Sequence, residues 1–154
     1  MSELLTHDEY IATAASLNFP RSAFIDGKYR PGRGDQLNAV NPATGETLCT
    51  IAACNDHDVD LAVAKAREAF DQGHWSRLHP AERKDILIRL CKLITRNARE
   101  LAVLESLESG KTIRDCVTID VPETIQTLKW HAEAVDKIYD QTAPVGEDAV
   151  AMIV

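Results

Sequence analysis

The chain has 154 residues, which is enough for one domain with a modest hydrophobic core. Its 17 Lys and Arg residues stand against 24 Asp and Glu residues, so the formal net charge is −7, and no run of like charge interrupts the mixed pattern. This balance argues against binding to nucleic acid, whose phosphates require a concentrated basic surface.

The beginning of the chain carries acidic residues where a secretory signal has a basic region, and no apolar run approaches the length of a membrane span. We therefore expect a soluble cytoplasmic protein with no membrane partner. The four cysteines lack the C-x-x-C spacing of a metal knuckle, so in a reducing cytosol we expect free thiols, with a structural disulfide as the alternative. They are Cys49, Cys54, Cys91 and Cys116.

The first third of the chain predicts a short helix and two hairpins. Residues 3–17 have amphipathic spacing, and Thr6 is a suitable helix cap. Asp26-Gly27 accepts the positive φ angles of a two-residue hairpin turn. After a loop at residues 31–35, strands at 37–40 and 46–52 flank the turn Asn41-Pro-Ala-Thr-Gly45.

The middle of the chain changes to a helical period. We predict that Asp56 caps a helix that ends at Gly73, that Pro80 begins a second helix, and that a break with cap-box spacing at Asn97 and Glu100 precedes a third helix ending at Gly110. Each helix is expected to bury one apolar stripe. In the first helix the stripe is Val59, Ala62, Val63, Ala66 and Phe70. In the second it is Leu87, Leu90, Cys91, Ile94 and Ala98, and in the third it is Leu101, Leu104 and Leu107.

The last third predicts a turn or short helix at residues 112–118 and a long amphipathic helix from Val121 to Tyr139. Residues 142–145 and 149–154 then read as two strands around Gly146-Glu-Asp148. The second of these strands is wholly apolar, and an open apolar strand favours association with another chain.

No pattern in the sequence identifies a catalytic residue. The seven glycines form no phosphate loop, and Ser109-Gly-Lys111 lacks the upstream glycine and strand of a P-loop. The five histidines show no paired metal-ligand spacing. His131 and Glu133 are two positions apart on a helix and therefore point to different faces. No cysteine has a basic companion that would plainly depress its pKa.

Several motifs together resemble the opening of an aldehyde dehydrogenase. They are residues 24–29 and 39–46 with the Asn-Pro-x-Thr-Gly-Glu turn, Ala66-Arg-Glu-Ala-Phe70, Trp75, Ala81-Glu-Arg83, the Glu-x-Leu-Glu-x-Gly-Lys segment at 105–111, and residues 130–137. Each motif is weak alone, but their order is specific. The leading helix and the ending Ala-Met-Ile-Val look closest to bacterial members that act on γ-glutamyl-γ-aminobutyraldehyde.

The resemblance implies an α/β fold and, specifically, the N-terminal part of the aldehyde dehydrogenase fold. Residues 1–140 would supply the hairpins and helices of an incomplete Rossmann-like coenzyme domain, and residues 141–154 would begin a β arm for homo-oligomerisation. The parent enzyme would oxidise an aldehyde to a carboxylic acid with NAD(P)+.

The family's mechanism uses a cysteine thiolate, an oxyanion-holding asparagine and a water-activating glutamate, and none of these motifs is matched here. We therefore expect no catalytic residue, no coenzyme-binding residue and no activity in this chain alone. The family's Pro-Trp-Asn segment is expected soon after Val154. The resemblance also implies one binding site, in which the backbone carbonyl of Val40 and the Glu108 side chain would hold a monovalent cation. The alternative is that Glu108 is merely solvated.

Two other interpretations remain open at this point. The chain could be a non-catalytic interaction module that pairs with other chains through its last strand. It could also be a natural pseudoenzyme or a truncation, and the sequence does not separate these two. It also does not identify the aldehyde, the choice between NAD and NADP, or the oligomeric state.

Overall fold

A computed structural model describes residues 4–139, 141–143 and 149–153. The elements follow the predicted order of hairpins, helices and a last hairpin, so the expected α/β class is confirmed. They are α1 His7–Ser16, β1 Ala23–Ile25, β2 Lys28–Arg30, β3 Gln36–Val40, β4 Thr47–Ala52, α2 Asp56–Gln72, α3 Pro80–Arg96, α4 Ala98–Ser109, α5 Ile113–Asp115, a π helix Cys116–Asp120, α6 Val121–Ala134, β5 Gln141–Ala143 and β6 Ala151–Ile153.

The strands form three separate antiparallel hairpins: β1 with β2, β3 with β4, and β5 with β6. Asp26 and Gly27 both have positive φ angles, 56° and 69°, which confirms the turn predicted for the first hairpin. Gly45 has φ 75° in the second turn. The last hairpin is also confirmed, although its predicted turn at 146–148 lies outside the described residues.

Local capping signals locate most helix ends correctly. Thr6 closes a capping box with Glu9 at the start of α1, and the predicted left-handed glycines, Gly73 and Gly110, follow α2 and α4. Pro80 is the first residue of α3, as predicted. These ends depend on neighbouring residues only, which is why sequence alone could place them.

Two predicted caps are wrong. The cap of α2 is Asn55, not Asp56, because the Asn55 side chain accepts a hydrogen bond from the Asp58 backbone amide. The break at Asn97 exists, but no capping box forms there. The side-chain amide of Asn97 instead donates a hydrogen bond to the Leu93 carbonyl at 2.8 Å.

The buried core lies where α4, the π helix and α6 meet. Ala102, Cys116, Val117 and Val121 form its buried cluster, and Tyr10 of α1 packs against it. Helix α3 also packs on α6. Among the described residues, no helix combines the length and the hydropathy that a membrane crossing requires.

The predicted stripes of three helices differ from the structure. In α4 the buried residues are Ala102 and Val103, whereas Leu101 of the predicted stripe is 37% exposed. Helix α6 ends at Ala134, and Tyr139, which was expected to continue it, is 82% exposed. The stripe of α2 is not buried: Val59, Val63 and Phe70 are 52%, 63% and 62% exposed. The periodicity identified an apolar face correctly, but the described residues do not cover that face.

Candidate functional site

The turn between β3 and β4 lies against the end of α4. The Asn41 side chain accepts a hydrogen bond from the Ala43 amide at 2.9 Å, and the Asn41 amide donates to the Glu46 carbonyl at 2.9 Å. A Cβ atom placed on Gly110 would lie only 2.8 Å from Cγ of Pro42. Two motifs that are distant in sequence, the Asn-Pro turn and the Gly-Lys segment, are therefore in contact.

This contact bears on the predicted cation site, because Val40 directly precedes the turn and Glu108 directly precedes the end of α4. Glu108 lines a cavity of about 460 Å³ together with Glu105 and Asp120, whereas Val40 does not line it. Within the described ranges, no three His, Cys, Asp or Glu side chains are placed to hold a metal ion. The structure thus brings the two segments together without assembling a side-chain metal site.

Lys111 has a structural partner. Its ammonium lies 2.6 Å from Oδ1 of Asp120, and this hydrogen bond is the largest cause that raises the pKa of Lys111. The other carboxylate oxygen of Asp120 is buried and has no hydrogen-bond partner among the described residues. Lys111 therefore connects the loop after α4 to the π helix. This ion pair gives Lys111 a structural role that requires no phosphate ligand.

The cysteines are free, as predicted. Cys49, Cys91 and Cys116 are buried, and only Cys54 is exposed among the four. Burial is the largest cause that raises the pKa of the Cys116 thiol. A raised pKa keeps this thiol protonated, which is the opposite of what a nucleophilic cysteine requires.

The outward face of α6 carries a polar and aromatic cluster that the sequence analysis did not single out. A hollow of about 420 Å³ is lined by Glu123, Gln126, Thr127, Trp130 and His131. Trp130 is 66% exposed and makes an edge-to-face contact with His131 at 4.9 Å. The Nδ1 atom of His131 is 2.9 Å from the Thr127 carbonyl oxygen. The spacing of three and four residues between members was the signal available in the sequence.

The described residues do not form a cradle for a dinucleotide. Such a cradle places a glycine-rich turn between a parallel strand and a helix N-terminus. In the part of the chain that the structure describes, every strand pair is antiparallel and two-stranded. We find no fit between these residues and the pyrophosphate of a coenzyme.

Comparison with known proteins identifies close relatives of the chain. A profile of the "Aldehyde dehydrogenase family" matches residues 29–154. Aminoacetaldehyde dehydrogenase of Pseudomonas aeruginosa is 56% identical over 155 aligned residues, which cover 100% of this chain and 31% of the relative. The chain therefore spans about a third of the length of this relative.

Solved structures agree with the fold. γ-Glutamyl-γ-aminobutyraldehyde dehydrogenase of Burkholderia cenocepacia has a TM-score of 0.92 and 40% identity, covering 96% of this chain and 30% of that one. A mutant of indole-3-acetaldehyde dehydrogenase of P. syringae, in complex with NAD+ and IAA, has a TM-score of 0.92 and 39% identity, with coverage of 97% and 30%. The hairpins and helices thus match the N-terminal part of such structures.

Proposed function

Because the chain belongs to the aldehyde dehydrogenase family, we propose that it is the N-terminal part of an enzyme that oxidises an aldehyde to a carboxylic acid with NAD(P)+. The observation that carries the proposal is the agreement of almost the whole chain with solved family members at a TM-score of 0.92. A family profile that begins at residue 29 supports the same conclusion independently.

In this proposal the chain provides structure, and the reacting groups belong to other parts of the enzyme. Residues 1–140 contribute the hairpins and helices of the coenzyme domain, and residues 141–154 begin the oligomerisation arm. Three of the four cysteines are buried, and the pKa of Cys116 is shifted away from thiolate formation. The proposal therefore assigns no catalytic residue to the chain.

The coenzyme would also be held elsewhere, because the described residues offer no phosphate cradle. In the whole enzyme NAD(P)+ would supply the hydride-accepting chemistry. The contribution of this chain is to hold the elements around that site in place, through the core between α4, the π helix and α6.

We propose an aldehyde that carries an amino group as the substrate class. The name of the P. aeruginosa relative supports this choice. The hollow on α6 also supports it, since the Glu123 carboxylate and the exposed indole of Trp130 suit an ammonium group.

In the whole enzyme, Glu123→Gln should raise KM for aminoacetaldehyde several-fold and leave KM for propanal unchanged. Equal effects on both substrates would contradict this substrate class.

The cation site stays part of the proposal, with the Val40 carbonyl and the Glu108 carboxylate as two of its ligands. The contact between Pro42 and Gly110 supports it, because it fixes the two segments that carry these residues. Among the described residues no three His, Cys, Asp or Glu side chains are placed to hold a metal ion, so further ligands would have to come from elsewhere.

We further propose a cytoplasmic homo-oligomer that assembles through the last hairpin. Strands β5 and β6 pair only with each other among the described residues. Val150, just before β6, and Met152, within β6, are 81% and 67% exposed. Exposed apolar side chains next to an open edge favour addition of another strand. The same observation favours the second candidate function, an interaction module without catalysis.

One assay tests the assignment of catalysis to other parts of the enzyme. The purified chain is incubated with NAD+ and aminoacetaldehyde, and NADH is followed by absorbance. We expect no NADH. The full-length P. aeruginosa relative serves as the positive control. Turnover that disappears on Cys54→Ser, the substitution of the one exposed cysteine, would overturn the proposal.

A further inference from the structure

An apolar cavity of about 410 Å³ lies between the start of α4, the π helix and α6. Its floor is continuous with the buried core: Val117 and Val121 are only 7% and 8% exposed, and Ala98 and Ile125 pack against the same cluster. Pro122 completes the apolar surface. The volume falls within the range of roughly 300–1,000 Å³ that is typical of small-molecule sites.

The rim of this cavity is positively charged. Arg99 in the first turn of α4 and Lys129 of α6 both line the cavity, and each side chain carries a positive charge. The other polar lining residues, Thr95 and Gln126, are uncharged. Of the lining residues that the structure describes, none carries a carboxylate. Two cations beside an apolar floor are notable in a chain whose formal net charge is −7.

The neighbouring acids, Glu133 and Glu9, leave the positive charges of Lys129 and Arg99 available to a ligand. The Lys129 ammonium is 3.8 Å from a Glu133 oxygen, and both side chains are more than half exposed, so water and ligands compete with this pair. The pKa of Glu9 is lowered mainly by hydrogen bonds from Thr6, and the positive charge of Arg99 lowers it further. A carboxylate held at the rim would therefore meet available positive charge.

We propose that this cavity binds a small amphipathic anion, with its apolar body on the floor of Ala98, Val117, Val121 and Ile125 and its carboxylate between Arg99 and Lys129. An inorganic anion fits less well, because it would lose hydration over an apolar floor without compensation. A neutral apolar molecule would use the floor but not the rim. Gln126 is the one lining residue that this cavity shares with the hollow on α6, which we assign to the ammonium group of the aldehyde.

Octanoate is a suitable probe, and 1-octanol is its uncharged counterpart. Each is titrated into the labelled chain and followed by two-dimensional NMR. We expect saturable shifts for octanoate centred on Ala98, Val117 and Ile125, and weaker binding of 1-octanol. Shifts that are spread over the surface or do not saturate would overturn the proposal, and so would equal affinities for the two probes.

Two variants test the two parts of the site. Arg99→Met with Lys129→Met should weaken octanoate binding about threefold to tenfold and leave 1-octanol unchanged. The matched control is Lys65→Met with Arg67→Met, which removes two cations from α2. Ala98→Phe should fill the floor and abolish binding of both probes. Octanoate binding that is the same in the rim variant and its control, or that survives Ala98→Phe, would overturn the proposal.

Discussion

The backbone amide of Arg33 donates a hydrogen bond to Oδ2 of Asp58 at 2.9 Å, across 25 positions of sequence. The Arg33 guanidinium also lies 3.5 Å from the other oxygen of the same carboxylate. Asp58 is only 6% exposed and additionally accepts a hydrogen bond from the Asn55 amide at the start of α2. One carboxylate therefore joins the loop after the first hairpin to a helix N-terminus.

Replacing Asp58 should destabilise the fold, because two backbone donors would lose their acceptor in a buried position. We expect Asp58→Ala to lower the Tm by about 5–10 °C. Asp56→Ala is the matched control, since Asp56 is an exposed acid in the same helical turn. Thermal unfolding followed by circular dichroism measures both. Equal shifts for the two variants would show that the Arg33 contact contributes little.

The ion pair between Lys84 and Asp136 predicts a pH dependence. The two groups are 2.8 Å apart, and the hydrogen bond from Lys84 is the largest cause that lowers the pKa of Asp136 to about 2 from 3.8. A depressed folded-state pKa adds stability that is complete above the unfolded pKa of 3.8 and disappears as pH falls through about 2. This pair should therefore stabilise the chain at neutral pH and not in strong acid.

The test compares Asp136→Asn with the original chain by urea unfolding at several pH values. The variant should be less stable near neutral pH, and the difference should close as the pH approaches 2. Asp71→Asn, which removes an exposed partner of Arg67, is the control. A difference that stays constant over the acid range would rule out the assigned charge interaction.

Gly110 should tolerate substitution less well than Gly45. Both have φ 75°, so alanine costs about 1–2 kcal/mol at either position through the left-handed backbone alone. At Gly110 the added Cβ would also approach Pro42 to 2.8 Å, whereas nothing lies within 4 Å at Gly45. Chemical unfolding of Gly110→Ala and Gly45→Ala measures the two costs. The larger loss should belong to Gly110→Ala, and the reverse order would contradict the described contact.

The thiols should differ sharply in reactivity. Iodoacetamide should modify Cys54 first, since it is the exposed cysteine, while Cys116 has no exposed surface and a raised pKa. Mass spectrometry of the intact chain should show one rapid adduct, and Cys54→Ser should remove it. Modification of Cys116 as fast as Cys54 in the folded chain would be incompatible with its burial.

Sequence signals confined to a few neighbouring residues were sufficient to predict where most helices and turns begin or end. Asp26-Gly27, Pro80, Gly73 and Gly110 were all located correctly, because backbone sterics at these positions act within one turn. A turn or short helix was predicted at residues 112–118, but the π-helical geometry of Cys116–Asp120 was not. This segment packs against α4 and α6, and no local sequence pattern encodes those contacts.

Burial was harder to predict than secondary structure. Val63 and Phe70 lie on an apolar face of α2 that periodicity identified, yet both are largely exposed. Periodicity shows that a face is apolar but not what covers it. The cluster around Glu123 and Trp130 was missed for a related reason: its members are polar or aromatic residues on a helix face opposite to the one being sought.

Reconstitution tests the central claim most directly. The chain is co-expressed with the P. aeruginosa relative from which the matching N-terminal third has been deleted, and NADH formation from aminoacetaldehyde is measured in the purified complex. Each polypeptide alone should be inactive, and the pair should form NADH. A folded chain that fails to associate with the remaining polypeptide, or a pair that forms no NADH, would contradict the account.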